Sequence, residues 1–96
     1  MEKTTTKFHL KGDFQSREVW LNSKKLSPEA SQQIRNHSPD GFMWGYVGSG
    51  PAQLALAICV ELFGEEAARK IYQDFKFKII GALPQSDFDT DLEWVW

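Results

Sequence analysis

The segment from Pro51 to Phe63 constrains the fold of this chain more than any other part of the sequence. It reads PAQLALAICVELF, and only Gln53 and Glu61 interrupt its apolar residues. A helix that is apolar on almost every side must be covered by other elements on most of them. Pro51 suits the first turn of such a helix, because the N–H that proline lacks would have no partner there. We therefore predict a largely buried helix over 51–63 at the centre of the domain, ended by Gly64.

A second helix is predicted from about Glu65 to Ile80, ended by Gly81 and Pro84. Acidic residues begin this segment and lysines end it, which is the arrangement that the helix dipole favours. Three acid–base pairs lie at i,i+4 spacing in the favourable order: Glu65–Arg69, Glu66–Lys70 and Asp74–Lys78. The apolar residues that recur at helical spacing form its predicted inner face: Ala68, Ile71, Tyr72, Phe75 and Ile79.

A β-hairpin or short meander is predicted over residues 4–26. Thr6, Phe8 and Leu10 alternate with polar residues, a period of two that is typical of a half-buried strand. A second strand is expected over 17–22, and turn-forming residues flank both segments.

The middle of the chain combines a short helix with an aromatic segment. Ser27-Pro28 predicts a helix over about 28–34, with serine as the N-cap and proline at the first helical position. If the chain after it is extended, Phe42, Trp44 and Tyr46 share one face and pack against the central helix. The alternative is a platform that stacks nucleobases, which normally comes with more Lys and Arg than this segment has.

The C-terminal segment is predicted to be a last strand. Its apolar face is Phe88, Thr90, Leu92, Trp94 and Trp96, and its acidic face is Asp87, Asp89, Asp91 and Glu93. The rival interpretation is a helical turn, because Thr90-x-x-Glu93 has the spacing of a capping box. With the strand, the chain is predicted to be one α+β domain over 1–96, in which a small antiparallel sheet packs on two helices.

Composition excludes several classes of function. The 11 basic and 13 acidic residues leave no basic excess for direct nucleic-acid binding. Cys59 has no second cysteine to pair with, which is typical of a reducing compartment. His9 and His37 are too far apart in sequence for the usual metal-ligand spacing. The polar start and the short apolar runs predict neither a signal peptide nor a membrane span. We expect a cytoplasmic protein without a metal or other cofactor.

The segment from Arg35 to Ala57, RNHSPDGFMWGYVGSGPAQLALA, resembles the family of domains of unknown function DUF6166, found in bacteria, phages and conjugative plasmids. The resemblance continues at 72–76 and 83–84. Met43 and Val47 depart from the residues that are usual at those places in the family. The resemblance supplies no activity and no catalytic residue. It implies a mobile-element setting, in which small proteins often bind and block host machinery.

The leading functional interpretation is a non-enzymatic accessory protein that binds a host protein complex. Its specific form is an inhibitor of a defence complex such as a CRISPR effector, which is itself a nucleic-acid-binding assembly. Carboxylates at alternate strand positions lie about 6.8 Å apart, so an acidic row could imitate phosphates, or it could be a charged edge that prevents aggregation. Trp94 and Trp96 could also form a homodimer interface. The predicted partner surface combines Arg35, Asn36, His37, Asp40, Trp44 and Tyr46 with Asp87, Asp89, Asp91 and Glu93.

Two other classes of function stay open. Gly48, Ser49 and Gly50 precede or begin the central helix, where free N–H groups favour an anion such as a nucleotide phosphate. The structural alternative is a tight turn with Ser49 or Gly50 as the helix cap. A small hydrolase would use His37 with Ser38, Asp40 and Ser49, although the sequence has no nucleophile elbow. The structural alternative there is that His37 holds its own loop together.

Overall fold

The computed structural model describes residues 4–95, which form a four-stranded antiparallel sheet packed against helices. The fold is therefore α+β, as predicted. The strands are β1 (Thr5–Asp13), β2 (Glu18–Leu21), β3 (Lys24–Lys25) and β4 (Phe88–Val95). The helices are α1 (Pro28–Ile34), α2 (Ser49–Phe63) and α3 (Glu65–Phe75), and a π-helical turn over Lys76–Ile80 continues α3.

The sheet has the order β3-β2-β1-β4, so that β1 lies between its neighbours in the hairpin and the C-terminal strand. β1 and β4 pair along their length, with Thr5 opposite Val95 and Gly12 opposite Phe88. The predicted meander and the C-terminal strand are both confirmed, and the rival helical turn is wrong. Trp96 lies outside the described residues.

Helix α2 is the centre of the core, as its composition predicted. Every residue from Gly50 to Cys59 is buried, because α1, α3 and the π-helical turn pack against the helix. Its side chains share one core cluster with those of the sheet. The helix begins at Ser49, two residues earlier than predicted, and its N-cap is Gly48 instead of Ser49 or Gly50. Among residues 4–95, no helix has the length and apolar character needed to cross a membrane.

The aromatic segment before α2 is not a strand. Phe42 and Trp44 are buried, but Tyr46 is 45% exposed, so the three rings do not share a face. Gly45 between them adopts a φ of +85°, which breaks the alternation. This conformation suits glycine, and a Cβ at Gly45 would also stand 2.6 Å from Gln85 Cγ.

The end of α3 differs from a regular α-helix. The N–H of Gly81 donates to the carbonyl of Lys76 at 2.8 Å, which closes a wider turn with one extra residue. As a result Ile80 is fully buried, Ile79 is only partly buried and Phe77 is 59% exposed. The helical prediction over 65–80 is confirmed in extent, but Ile80 was missing from its predicted inner face.

Gly12 is a position in β1 where a side chain has no room. A Cβ there would stand 2.8 Å from Phe88 Cζ and closer still to Cε1. The Phe88 ring packs edge-on against Trp44 at 5.0 Å, which restricts its movement. We expect Gly12→Ala to lower the free energy of unfolding by about 1–3 kcal/mol, the usual cost of overpacking, as measured by urea denaturation.

The control is the same substitution in a Phe88→Leu background. Leucine lacks the ring atoms that approach Gly12, so the cost of Gly12→Ala should shrink there. An equal cost in both backgrounds would contradict the steric explanation.

Candidate functional site

Gln53 holds together the segment of residues 35–50, called the motif loop below. Its side chain is fully buried in α2. Its Oε1 accepts the N–H groups of His37 at 2.7 Å and Ser38 at 3.0 Å. Its Nε2 donates to Ser31 Oγ at 2.8 Å and to the carbonyl of Arg35 at 3.1 Å. All four hydrogen-bonding positions of the amide are therefore used.

Helix α1 completes this network. Ser31 Oγ, which accepts a hydrogen bond from Gln53, itself donates one to the carbonyl of Pro28 at 2.8 Å. Gln32 Nε2 donates to the carbonyl of Ser38 at 2.8 Å, which fixes the same part of the loop from a second side. The start of the motif loop is thus bound to both α1 and α2. The sequence signal for this network was the single amide in an apolar helix.

His37 contacts α3 through its ring. Its Nε2 shares a hydrogen bond of 2.9 Å with the hydroxyl of Tyr72, and the two rings lie 5.5 Å apart. Partial burial, followed by the nearby charges of Arg35 and Lys76, lowers the pKa of His37. The hydrolase interpretation required the His37 imidazole to pair with the hydroxyl of Ser49. In the structure the imidazole pairs with Tyr72, and Ser49 is exposed in the first turn of α2.

Trp44 belongs to the core. It is fully buried, its Nε1 donates to the carbonyl of Ser86 at 2.9 Å, and Phe14 and Phe88 pack edge-on against it. Its side chain is therefore not available to a partner in this structure. The neighbouring candidates are exposed: Arg35, Asn36 and Asp40, with His37 partly buried.

The first turn of α2 is covered by its own loop. Gly50 is buried, and a Cβ there would stand 2.6 Å from Met43 Cβ. A Cβ at Gly48 would stand 2.7 Å from Tyr46 Cε2. These glycines therefore allow Met43 and Tyr46 to pack closely against the start of α2. Ser49 between them remains exposed.

Three exposed apolar side chains form what we call the apolar patch: Tyr46, Val47 and Phe77, which are 45%, 52% and 59% exposed. Val47 Cγ1 packs against Gly81, where a Cβ would stand 2.8 Å away. Phe77 lies in the π-helical turn that ends next to Gly81, so it belongs to the same end of α3. The patch therefore joins the motif loop to the end of α3.

The acidic row lies on the exposed face of the sheet. Helix α3 covers the other face, where Phe75 packs against Phe8 and Trp94. Asp89, Asp91 and Glu93 stand opposite Lys11, His9 and Lys7 of β1, respectively. Asp87 precedes the strand and accepts the N–H of Phe14 at 2.7 Å. The predicted partner surface is thus divided: the carboxylates of β4 and the His37 part of the motif loop are on opposite sides of the sheet.

His9 lies between two carboxylates of β4. Its Nε2 is 2.5 Å from Asp89 Oδ1, and its Nδ1 is 2.7 Å from Asp91 Oδ1. Two such donations require the imidazolium form. The hydrogen bond to Asp91, with a smaller contribution from Asp89, raises the pKa of His9 above its ordinary value of 6.5. Within residues 4–95, no group of three or more His, Cys, Asp or Glu side chains is arranged to hold a metal ion.

Comparison with known proteins gives one result. The profile of the family described as "Family of unknown function (DUF6166)" matches residues 10–95. The match covers most of the chain and confirms the resemblance that the motif loop indicated. No curated protein and no solved structure matches the chain.

Removal of the Gln53 amide should destabilise the protein strongly. Gln53→Leu keeps a side chain of similar size but leaves two N–H groups, a hydroxyl and a carbonyl without their partner. We expect the free energy of unfolding to fall by about 2–4 kcal/mol. Gln73→Leu, an exposed position of α3, is the matched control and should change it by less than about 0.5 kcal/mol. Equal effects of the two substitutions in urea denaturation would contradict the role assigned to Gln53.

The two histidines should give opposite pH dependences of stability. The raised pKa of His9 stabilises the fold fully below pH 6.5, and this contribution disappears as pH rises through the higher folded pKa. The lowered pKa of His37 has the reverse effect, a cost that grows as pH falls below 6.5. We therefore expect the stability of wild type relative to His9→Gln to decrease with rising pH, and its stability relative to His37→Gln to increase.

The measurement is urea denaturation of the three proteins between about pH 5.5 and about pH 8.5. A difference between wild type and His9→Gln that does not change with pH would show that Asp89 and Asp91 do not bind the imidazolium preferentially.

Proposed function

We propose that this chain, which belongs to the family of unknown function DUF6166, is a protein-binding module whose contact surface is the apolar patch. The observation that carries the proposal is the exposure of Tyr46 and Val47 in a loop whose neighbouring aromatic residues, Phe42 and Trp44, are buried. Isolated apolar side chains are common on protein surfaces, but a group rimmed by polar residues is typical of an interaction site.

The loop presents these side chains in a fixed conformation. Gln53 binds its first part, and the Trp44 indole donates to the carbonyl of Ser86. Gly45 is held from both sides: its N–H donates to the carbonyl of Ile80 at 3.1 Å, and its carbonyl accepts Gln85 Nε2 at 3.1 Å. A rigid contact surface loses little conformational entropy on binding, which favours affinity.

The chemistry around the patch is also that of a protein interface. Lys76 Nζ lies 4.5 Å from the centre of the Phe77 ring, so that a cation stands beside the apolar surface. Tyrosine combines a large apolar area with a hydroxyl, and it is enriched among the residues that dominate binding energies. The patch therefore fits a partner with an apolar cleft and a polar rim.

The biological form of the proposal is inhibition of a host defence complex. A mobile-element setting makes a host assembly in the cytoplasm the expected partner, and a nucleic-acid-binding effector such as a CRISPR complex is the specific candidate. In this proposal the chain acts by occupancy of the partner's surface, with no reaction and no cofactor. The apolar patch and the mobile-element setting of the family support this form of the proposal.

A tagged pull-down from nuclease-treated host lysate tests the contact surface. We expect a stoichiometric complex with wild type, and a loss of affinity of roughly tenfold or more with Tyr46→Ser/Val47→Ser, because interface anchors contribute about 1–2 kcal/mol each. The matched control is Glu66→Ser/Lys70→Ser, two exposed residues at the start and in the middle of α3. Along the helix axis they lie about 16 Å and about 10 Å from Phe77, respectively, at ~1.5 Å per residue. Equal binding by both double variants would refute the apolar patch as the contact surface.

A further inference from the structure

The outer edge of β4 is an open strand edge in the described part of the chain. β4 is the last strand in the sheet order and pairs with β1 from Phe88 to Val95. No other strand within residues 4–95 pairs with it. The strand has eight residues, or about 27 Å of edge at ~3.4 Å per residue. An open edge of this length is a template for a further strand.

The contacts of His9 identify which backbone groups of β4 point outward. His9 donates its N–H to Asn22 Oδ1 at 2.8 Å, and its carbonyl accepts the N–H of Asn22 at 2.9 Å. The backbone groups of His9 therefore face the β2 side. Since successive residues of a strand direct these groups to opposite sides, those of Leu10 face β4 and its register partner Thr90.

By the same alternation, the outward-facing N–H and C=O groups between Phe88 and Trp94 belong to Asp89, Asp91 and Glu93. One of these groups, the carbonyl of Asp91, accepts a long hydrogen bond of 3.4 Å from Thr90 Oγ1. The side chains of Asp89 and Asp91 are 62% and 90% exposed on the solvent face. Each outward backbone pair thus stands beside an accessible carboxylate.

A second copy of this chain does not fit the edge. If two β4 strands paired antiparallel with their apolar faces on the same side, odd-numbered residues would stand opposite odd-numbered residues. Asp91 would then face Asp91, and Asp89 would face Glu93, or a similar set after a shift of register. Like charges directly opposite each other destabilise a strand pair. The charge pattern therefore disfavours self-pairing.

Strand β1, which already pairs with β4, shows which side chains complement the acidic row. In β1 the residues opposite the three acids are Lys7, His9 and Lys11, while Phe8 and Leu10 between them enter the core. A carboxylate has about four lone-pair sites, so contact with β1 leaves acceptor capacity on its free side. The inner-face residues Thr90 and Leu92 are only partly buried at this edge, which leaves room beside them for further apolar side chains.

We propose that the free edge of β4 binds an extended segment of a partner protein that alternates Lys or Arg with apolar residues. The segment adds to the sheet as an antiparallel fifth strand, with its basic side chains opposite Asp89, Asp91 and Glu93. This mode is β-augmentation, in which backbone hydrogen bonds give affinity and alternate side chains give specificity. The proposal goes beyond the proposed function because it uses another surface and specifies the chemistry of the partner.

The test is a titration of the ¹⁵N-labelled full chain with a peptide of Lys and Val in strict alternation, as long as the nine residues of β1. The readout is amide hydrogen exchange. We expect at least tenfold slower exchange at Asp89, Asp91 and Glu93, whose N–H groups acquire partners. The amides of Thr90 and Leu92 are already bonded to β1 and should change little. Binding without this alternating protection would overturn the proposal, since a loose electrostatic contact protects no particular amide.

Peptide and protein controls separate charge from backbone pairing. A peptide with Glu in place of Lys should not bind, and equal affinity for it would refute the charge pattern. Glu93→Gln should weaken binding by roughly two- to fivefold, whereas Glu93→Pro, which also removes an outward N–H, should abolish it.

Self-pairing of the edge would give a different result. The amides of Asp89, Asp91 and Glu93 would then exchange slowly without peptide, and their protection would increase with protein concentration. That result would overturn the proposal. The variant Tyr46→Ser/Val47→Ser should bind the peptide like wild type. The role of the apolar patch and the role of the β4 edge are therefore tested separately, and either proposal can fail without the other.

Discussion

The hydrogen bonds of Gln53 determine how the central helix is oriented in this fold. An apolar helix gains burial in almost any rotation about its axis, so the hydrophobic effect alone does not select which face meets which neighbour. A buried amide removes this freedom, because any rotation that separates it from its partners leaves several polar groups unsatisfied. Gln53 contacts α1 through Ser31 and the motif loop through Arg35, His37 and Ser38. One side chain thus fixes three segments relative to each other.

The orientation of α2 has consequences at the surface. Once the start of the motif loop is bound to Gln53, the loop must reach the first turn of α2 over a short distance. Gly45 adopts a positive φ, Trp44 enters the core, and Tyr46 and Val47 are exposed to solvent. Val47 then packs on Gly81, at the end of the π-helical turn that also exposes Phe77. The apolar patch is therefore a product of core packing.

Local patterns predicted the elements, and long-range contacts decided the details that sequence reasoning missed. The apolar run of α2, the charge pairs of α3 and the alternation in β4 each depend on neighbouring residues only. The extra residue in the turn before Gly81 and the positive φ of Gly45 depend on packing against distant segments. The contact of His9 with Asp91 joins residues 82 positions apart. A signal for it was present, however, because the alternation Lys7, His9, Lys11 matches the acidic alternation in β4.

The same charge pattern limits how the acidic row can act. A run of phosphates has no cations between its charges, whereas the carboxylates of Asp89, Asp91 and Glu93 each face a basic residue of β1. At distances beyond the Debye length, about 8 Å at physiological ionic strength, such alternating charges largely cancel. The row therefore projects a weaker field than an isolated acidic strand. Direct contact is affected less, because a neighbouring strand lies only about 4.8 Å away. At that distance each carboxylate acts individually, and the row is better suited to selecting an adjacent strand than to imitating nucleic acid.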